Sequence, residues 1–236
     1  MKSLLKTVRT VTLAVALVSL VFYLGGSDPK AELATAEYAY RHYDYDQAIR
    51  FARRAALMSD GKSEAKAWLV AAEAARKMEH PEAALKYLNR AIGVWPDCGR
   101  CYLKRGELHY AQKAYDRSIE DFNRAFERIG AFSPQEAAKY SARRAVAYLR
   151  LGKVEEGCRD GEFAIRSDDS SPLAHFAEAI CLYERDDLEK AAKSAERAYN
   201  LGMAYPFFFT KEREEAGEDW LKVYTALTLE AARKRR

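Results

Sequence analysis

The sequence predicts an all-α fold, a right-handed α-solenoid of about five stacked helix pairs, and three observations carry that expectation. Ala55, Ala91, Ala125, Ala164 and Ala198 recur at spacings of 36, 34, 39 and 34 residues. Two further small positions keep the same phase. One is Ala48, Ala84, Ser118, Gly157 and Ala191, and the other is Ala36, Ala72, Gly106, Ala145 and Ala179. A period near 34 marks stacked helix–turn–helix units, in which small side chains let helix axes approach where they cross. No stretch shows the two-residue alternation of a half-buried strand.

The first element, residues 1–27, is not part of the repeats. Lys2, Lys6 and Arg9 precede an uncharged run from Val11 to Leu24, and the first acid is Asp28. That is the layout of an export signal. Gly25-Gly26-Ser27, preceded closely by Tyr23, makes a poor cleavage site, and Thr10–Ser27 just suffices to cross a bilayer. The expectation is an uncleaved signal anchor forming a transmembrane helix. A cleaved signal, releasing a secreted or periplasmic protein, is the alternative. The positive flank places the N-terminus in the cytoplasm and the repeats on the periplasmic or extracytoplasmic side. No cysteine follows the run, which excludes a bacterial lipoprotein.

The repeats are expected over 28–203, at about 29–62, 65–98, 99–132, 138–171 and 172–203. Ser133-Pro134-Gln135-Glu136 is a capping box with proline at the first helical position. Asp28-Pro29 and Ser171-Pro172 start helices in the same way, and His80-Pro81 opens the second helix of a pair. The long spacing between the third and fourth repeats places an insertion at Arg128–Phe132, in a connecting turn. Residues 204–236 form the last element. Trp220, Val223, Tyr224 and Leu227 recur at helical spacing, so Glu214–Arg233 is expected to cap the terminal pair. Phe207–Phe209 is expected to pack beneath that cap or to form a docking patch.

The repeats resemble the tetratricopeptide family. Trp68 and Tyr102 stand where that family has an aromatic early in its first helix. Tyr148 matches its later aromatic, Tyr45 and Tyr115 open second helices, Leu88 and Phe122 fill its large position, and Pro96 fits its closing proline. Gly157, Gly161, Ala195 and His175 depart from the pattern in the last two repeats. The resemblance implies a non-enzymatic scaffold that holds a protein or peptide partner along the concave surface of its first helices. Carried over residue by residue, that groove presents Lys66, Arg100, Lys104, Lys139 and Arg143. Glu37, Glu73 and Glu107 oppose them, and Leu69, Leu103 and Tyr110 supply apolar ground. Basic side chains one turn apart suit an acidic ligand. Lys104 and Arg143 are expected to be central to it and to carry little folding energy. Chaperone-binding members of the family use asparagines where this chain has Glu37 and Val70, so cytosolic heat-shock chaperones are not expected partners.

The formal net charge is +4, without the concentrated basic footprint of a nucleic-acid protein. The four histidines are scattered, and no acid–base, nucleophile, metal or cofactor constellation is recognised. Cys98-Gly99-Arg100-Cys101 is a CxxC at a helix start. It reads as a local disulfide or buried thiol pair, with a thiol–disulfide redox centre as the functional alternative. Cys158 and Cys181 each lie about a dozen residues from Asp169, so an antiparallel hairpin turning there sets them level. A disulfide between them requires Cα atoms within about 7 Å.

Overall fold

The computed structural model describes residues 28–204, and the contacts divide the chain into two compact units between Cys101 and Tyr102. The membrane segment expected at Met1–Ser27, the Phe207–Phe209 patch and the cap expected at Glu214–Arg233 lie outside the described residues. Among the described residues, no helix is long and apolar enough to cross a membrane.

The first unit holds α1 (Pro29–Arg41), α2 (Tyr45–Leu57), α3 (Gly61–Lys77) and α4 (Pro81–Val94), and ends in the first turn of α5 (Gly99–Ala111). The second holds the rest of α5 with α6 (Tyr115–Arg128), α7 (Pro134–Arg150), α8 (Val154–Ser167), α9 (Pro172–Glu184) and α10 (Leu188–Ala204). Helix α3 starts at Gly61, so the expected boundary between 62 and 65 falls inside a helix. The insertion after Arg128 lies in the α6–α7 turn, as the spacing requires.

One backbone device closes every first helix of a pair. Tyr43, Glu79, Lys113, Gly152 and Asp186 all have positive φ, between 59° and 71°. Their spacings are again 36, 34, 39 and 34, so the turn keeps the phase of the alanines. The residue after each sends its N–H back five positions, as in Asp44 to Ala39 and Ala114 to His109, both 2.9 Å. The left-handed residue itself bonds three back, as in Lys113 to Tyr110 at 2.9 Å. This is the Schellman arrangement, which satisfies carbonyls that a helix end would orphan. The resulting short turns fold successive helices antiparallel.

N-terminal caps follow the sequence signals. Asp28 accepts from the Lys30 N–H at 3.1 Å, and Ser171 from the Ala174 N–H at 3.3 Å. Ser133 and Glu136 form both halves of the capping box.

The first unit packs around small residues. Ala36, Ala52 and Ala71 meet under Phe51, Val70 and Tyr87, while Ala39, Ala48 and Ala74 meet under Tyr40, Tyr45 and Ile49. Trp68 stacks on Tyr87 with ring centroids 5.7 Å apart, and the Arg90 guanidinium lies 4.8 Å from the Trp68 centroid. In the second unit Phe122, Leu103 and Val146 are fully buried. Gly106 is small because a Cβ there would stand 2.9 Å from the Phe122 ring, and the carbonyl of Gly106 accepts from the buried Ser118 hydroxyl at 3.0 Å. Gly157 is tighter still, with Leu149 Cγ 2.6 Å from the place a Cβ would take. Disulfides join Cys158 to Cys181, linking α8 and α9, and Cys98 to Cys101 at the head of α5. The Cα separation is 5.3 Å in each pair.

Candidate anion site between α5 and α7

Three of the five basic residues expected in a groove converge on one carboxylate. Helix α5 carries Lys104 and Glu107 one turn apart, and α7 carries Lys139 and Arg143 one turn apart, so each helix offers a pair on one face. The Arg143 guanidinium donates to Glu107 Oε1 at 2.8 Å. Lys139 Nζ lies 3.3 Å from the same oxygen, and Lys104 Nζ lies 3.2 Å from Oε2. Tyr140 is buried beside the cluster, with Lys139 Nζ 5.2 Å from its ring centroid. Three cations thus gather around this one carboxylate.

Burial alone would push the Glu107 carboxyl up, but Lys104, Arg143 and Lys139 together outweigh it and hold its pKa at about 2. Burial lowers the Lys139 pKa, and the neighbouring Arg143 charge lowers it further. Glu107 acts on Lys139 in the opposite direction, raising its pKa through their ion pair. Lys139 keeps 39% of its side-chain exposure and Lys104 keeps 24%, whereas Arg143 keeps 4%. An arriving carboxylate therefore meets the two lysines, with Arg143 behind them.

The positions expected from the sequence separate into surface and core. Lys66 on α3 and Arg100 in the first turn of α5 are exposed in the first unit, and Leu69 is half-buried there. Leu103 and Tyr110 are corrected. Both are buried, at 0% and 2% exposure, so they support α5 from within instead of presenting apolar ground to a ligand. Arg143 is corrected as well, since its buried ion pair with Glu107 makes it part of the folded structure. The opposing acids have unequal surroundings. Glu73 accepts from the Tyr40 hydroxyl at 3.3 Å and pairs with Arg76 at 3.4 Å, while Glu37 sits 4.0 Å from the exposed Arg41. Glu107 instead meets the three cations of the cluster.

The redox reading of the CxxC fails on access. Cys98 and Cys101 are bonded to each other at 2% and 0% exposure, whereas thiol–disulfide exchange requires a sulfur that an attacking thiolate can reach. Among the described residues, no group of three His, Cys, Asp or Glu side chains is placed to hold a metal ion.

Two arginine forks were not anticipated from the sequence. Arg105 grips Asp121 through two bonds of 2.9 and 2.7 Å, and Arg144 grips Asp160 through two of 2.6 and 2.8 Å. Both span sixteen residues, and the second pair repeats the first at the 39-residue spacing. That recurrence of Arg and Asp in phase was the available signal. These forks fasten α5 to α6 and α7 to α8, leaving the lysines of the cluster on a rigid support.

A tetratricopeptide repeat profile matches residues 69–134 and 142–206, more than half of the chain. The chain belongs to the tetratricopeptide repeat family. Among curated relatives of this TPR protein, the Hsp70-Hsp90 organizing protein of Triticum aestivum is 26% identical over 172 residues, covering 73% of this chain and 26% of that protein. DnaJ homolog subfamily C member 7 of Homo sapiens is 27% identical over 100 residues, covering 42% of this chain. The chain thus spans about a quarter of the first relative and 19% of the second. Among solved structures, a MamA RS-1 double mutant superposes with a TM-score of 0.64 at 16% identity, covering 76% of this chain and 97% of its own. YrrB, a TPR protein with an unusual peptide-binding site, superposes with a TM-score of 0.63 at 14% identity, covering 79% of this chain and 93% of its own. Both likenesses are of fold.

Proposed function

We propose that this TPR protein is a membrane-anchored, non-enzymatic scaffold that holds an acidic segment of a protein partner at Lys104 and Lys139. The observation that carries the reading is the convergence of Lys104, Lys139 and Arg143 on Glu107, with the two lysines partly open to solvent on a pair of braced helices. Charge-assisted bonds from two ammonium groups suit a carboxylate side chain, and family membership supports a protein or peptide as its bearer. Residues 1–27 serve as the anchor, with the N-terminus in the cytoplasm and the repeats in the periplasm or an equivalent extracytoplasmic space. The basic flank, the uncharged run that follows it and the weak cleavage site support this placement. Two disulfides suit an oxidising compartment.

The expectation against heat-shock chaperones rested on Glu37 and Val70. Similarity to the Hsp70-Hsp90 organizing protein weakens it, so chaperone-derived segments belong in the set tested as ligands. The experiment is an array of acidic and neutral peptides, chaperone tails included, probed with the full chain in detergent. Retention confined to acidic peptides, and lost in the K104E/K139E variant, supports the reading. Retention of neutral peptides by wild type and variant alike overturns it. Carbonate extraction of cell membranes tests the anchor: a chain left in the supernatant rejects it.

A further inference from the structure

We propose that one edge of the first unit lies against the lipid headgroups of the membrane that holds the anchor, an inference that rests on the anchored reading above. Antiparallel packing brings the start of α1, the end of α2, the start of α3 and the end of α4 to the same edge. Two contacts fix this: Glu32 in the first turn of α1 pairs with Arg54 in the last turn of α2 at 2.9 Å, and Lys62 in α3 sits 5.4 Å from the ring centroid of Trp95 beyond α4. The last residues of α2 and α4, Leu57 and Val94, are exposed large apolar side chains, at 69% and 37%. Met58 and Trp95 follow them directly and are half-buried. The exposed parts of these side chains give the edge an apolar surface.

The chain itself says what faces them. The uncharged run ends at Leu24, and α1 starts at Pro29 on this same edge. Five residue steps span at most about 18 Å, of which the headgroup layer takes roughly 6 Å. An anchored chain therefore holds the start of α1 within about 12 Å of the headgroups, with no room for a folded spacer. Trp95 with Lys62 over its ring is the pairing of an amphipathic aromatic and a cation that suits the headgroup level. Lys30 and Lys62 are offset by Asp28 and Asp60, so apolar contact and tethering hold the edge in place more than net charge does.

The test uses the full chain in vesicles of phosphatidylcholine and phosphatidylglycerol, with an environment-sensitive NBD fluorophore at a single introduced cysteine. Labels at Leu57→Cys on this edge and Glu82→Cys at the start of α4, on the opposite edge, are compared without reductant. Both positions are exposed, and circular dichroism verifies the fold of each. The expected result is a blue-shifted, brightened signal at 57, quenched by nitroxide lipids and persistent in high salt, beside a water-like signal at 82. Equal, water-like signals at both positions in chains that float with the vesicles would overturn the edge contact while leaving the anchor standing. A shielded label at 57 that nitroxide lipids do not quench would also overturn it, by showing that protein covers the edge. Chains that fail to float would reject the anchor and this inference together.

Discussion

Replacing Glu107 by glutamine removes the carboxylate on which three cations converge while keeping its volume. In the folded chain the Glu107 carboxyl falls from an ordinary 4.5 to about 2. At 1.36 kcal/mol per pH unit, that displacement corresponds to on the order of 3 kcal/mol of folding stability. Because the folded value is depressed, the stability is fully present above about pH 4.5 and fades as the pH falls toward 2. At pH 3 roughly half of it is gone. Urea denaturation of the full chain in detergent, followed by circular dichroism at pH 7 and pH 3, measures the difference between wild type and Glu107→Gln. The variant is expected to be less stable by about 3 kcal/mol at pH 7, and the gap to shrink by about half at pH 3. Parallel losses in both proteins, with an unchanged gap, would refute the assignment of this carboxylate as the hub of the cluster.

Three further outcomes follow from the packing and turns. Lys113→Gly should stabilise the chain, and Gly152→Ala should destabilise it, each by about 1 kcal/mol, because both positions are left-handed and only glycine adopts that backbone freely; thermal melts check both signs. Gly106→Ala should cost about 1–3 kcal/mol by pressing a methyl into the Phe122 ring, whereas Gly93→Ala, with open space around it, should be neutral or better, as paired denaturation curves would show. Removing the α8–α9 disulfide by Cys158→Ser and Cys181→Ser together should cost about 3 kcal/mol for a loop of this length, and a midpoint unchanged from wild type would argue that the bridge contributes no constraint.

The fold was legible because its determinants are local and periodic. Alanine phase, proline caps and the Ser133 capping box each act over one or two turns, so the chain displays them in order. The left-handed turn positions were harder to see, since four of the five, Tyr43, Glu79, Lys113 and Asp186, are not glycine. There the phase of the repeat dictates the conformation and the residue bears the strain. The site was legible as a set of basic residues, but their division was not. Lys104, Lys139 and Arg143 are similar as sequence, and only helix packing puts Arg143 behind Glu107 and the lysines in front. Leu103 and Tyr110 were misplaced for the same reason, because helix packing covers Leu103 completely while its counterpart Leu69, one repeat earlier, stays half-buried. The Arg105–Asp121 and Arg144–Asp160 forks depend on two helices meeting at a fixed register, which single-helix patterns do not display.

The most direct test of the scaffold reading is the affinity of a fluorescent glutamate-rich peptide for the full chain, measured by anisotropy as salt is raised. Loss of both lysines in K104A/K139A should weaken binding at least about tenfold, or about 1.4 kcal/mol, with helicity unchanged. Wild-type binding should itself weaken toward about 0.15 M salt, where screening cuts electrostatic reach to about 8 Å. Equal affinity in wild type and K104A/K139A, insensitive to salt, would contradict a binding site built on this cluster.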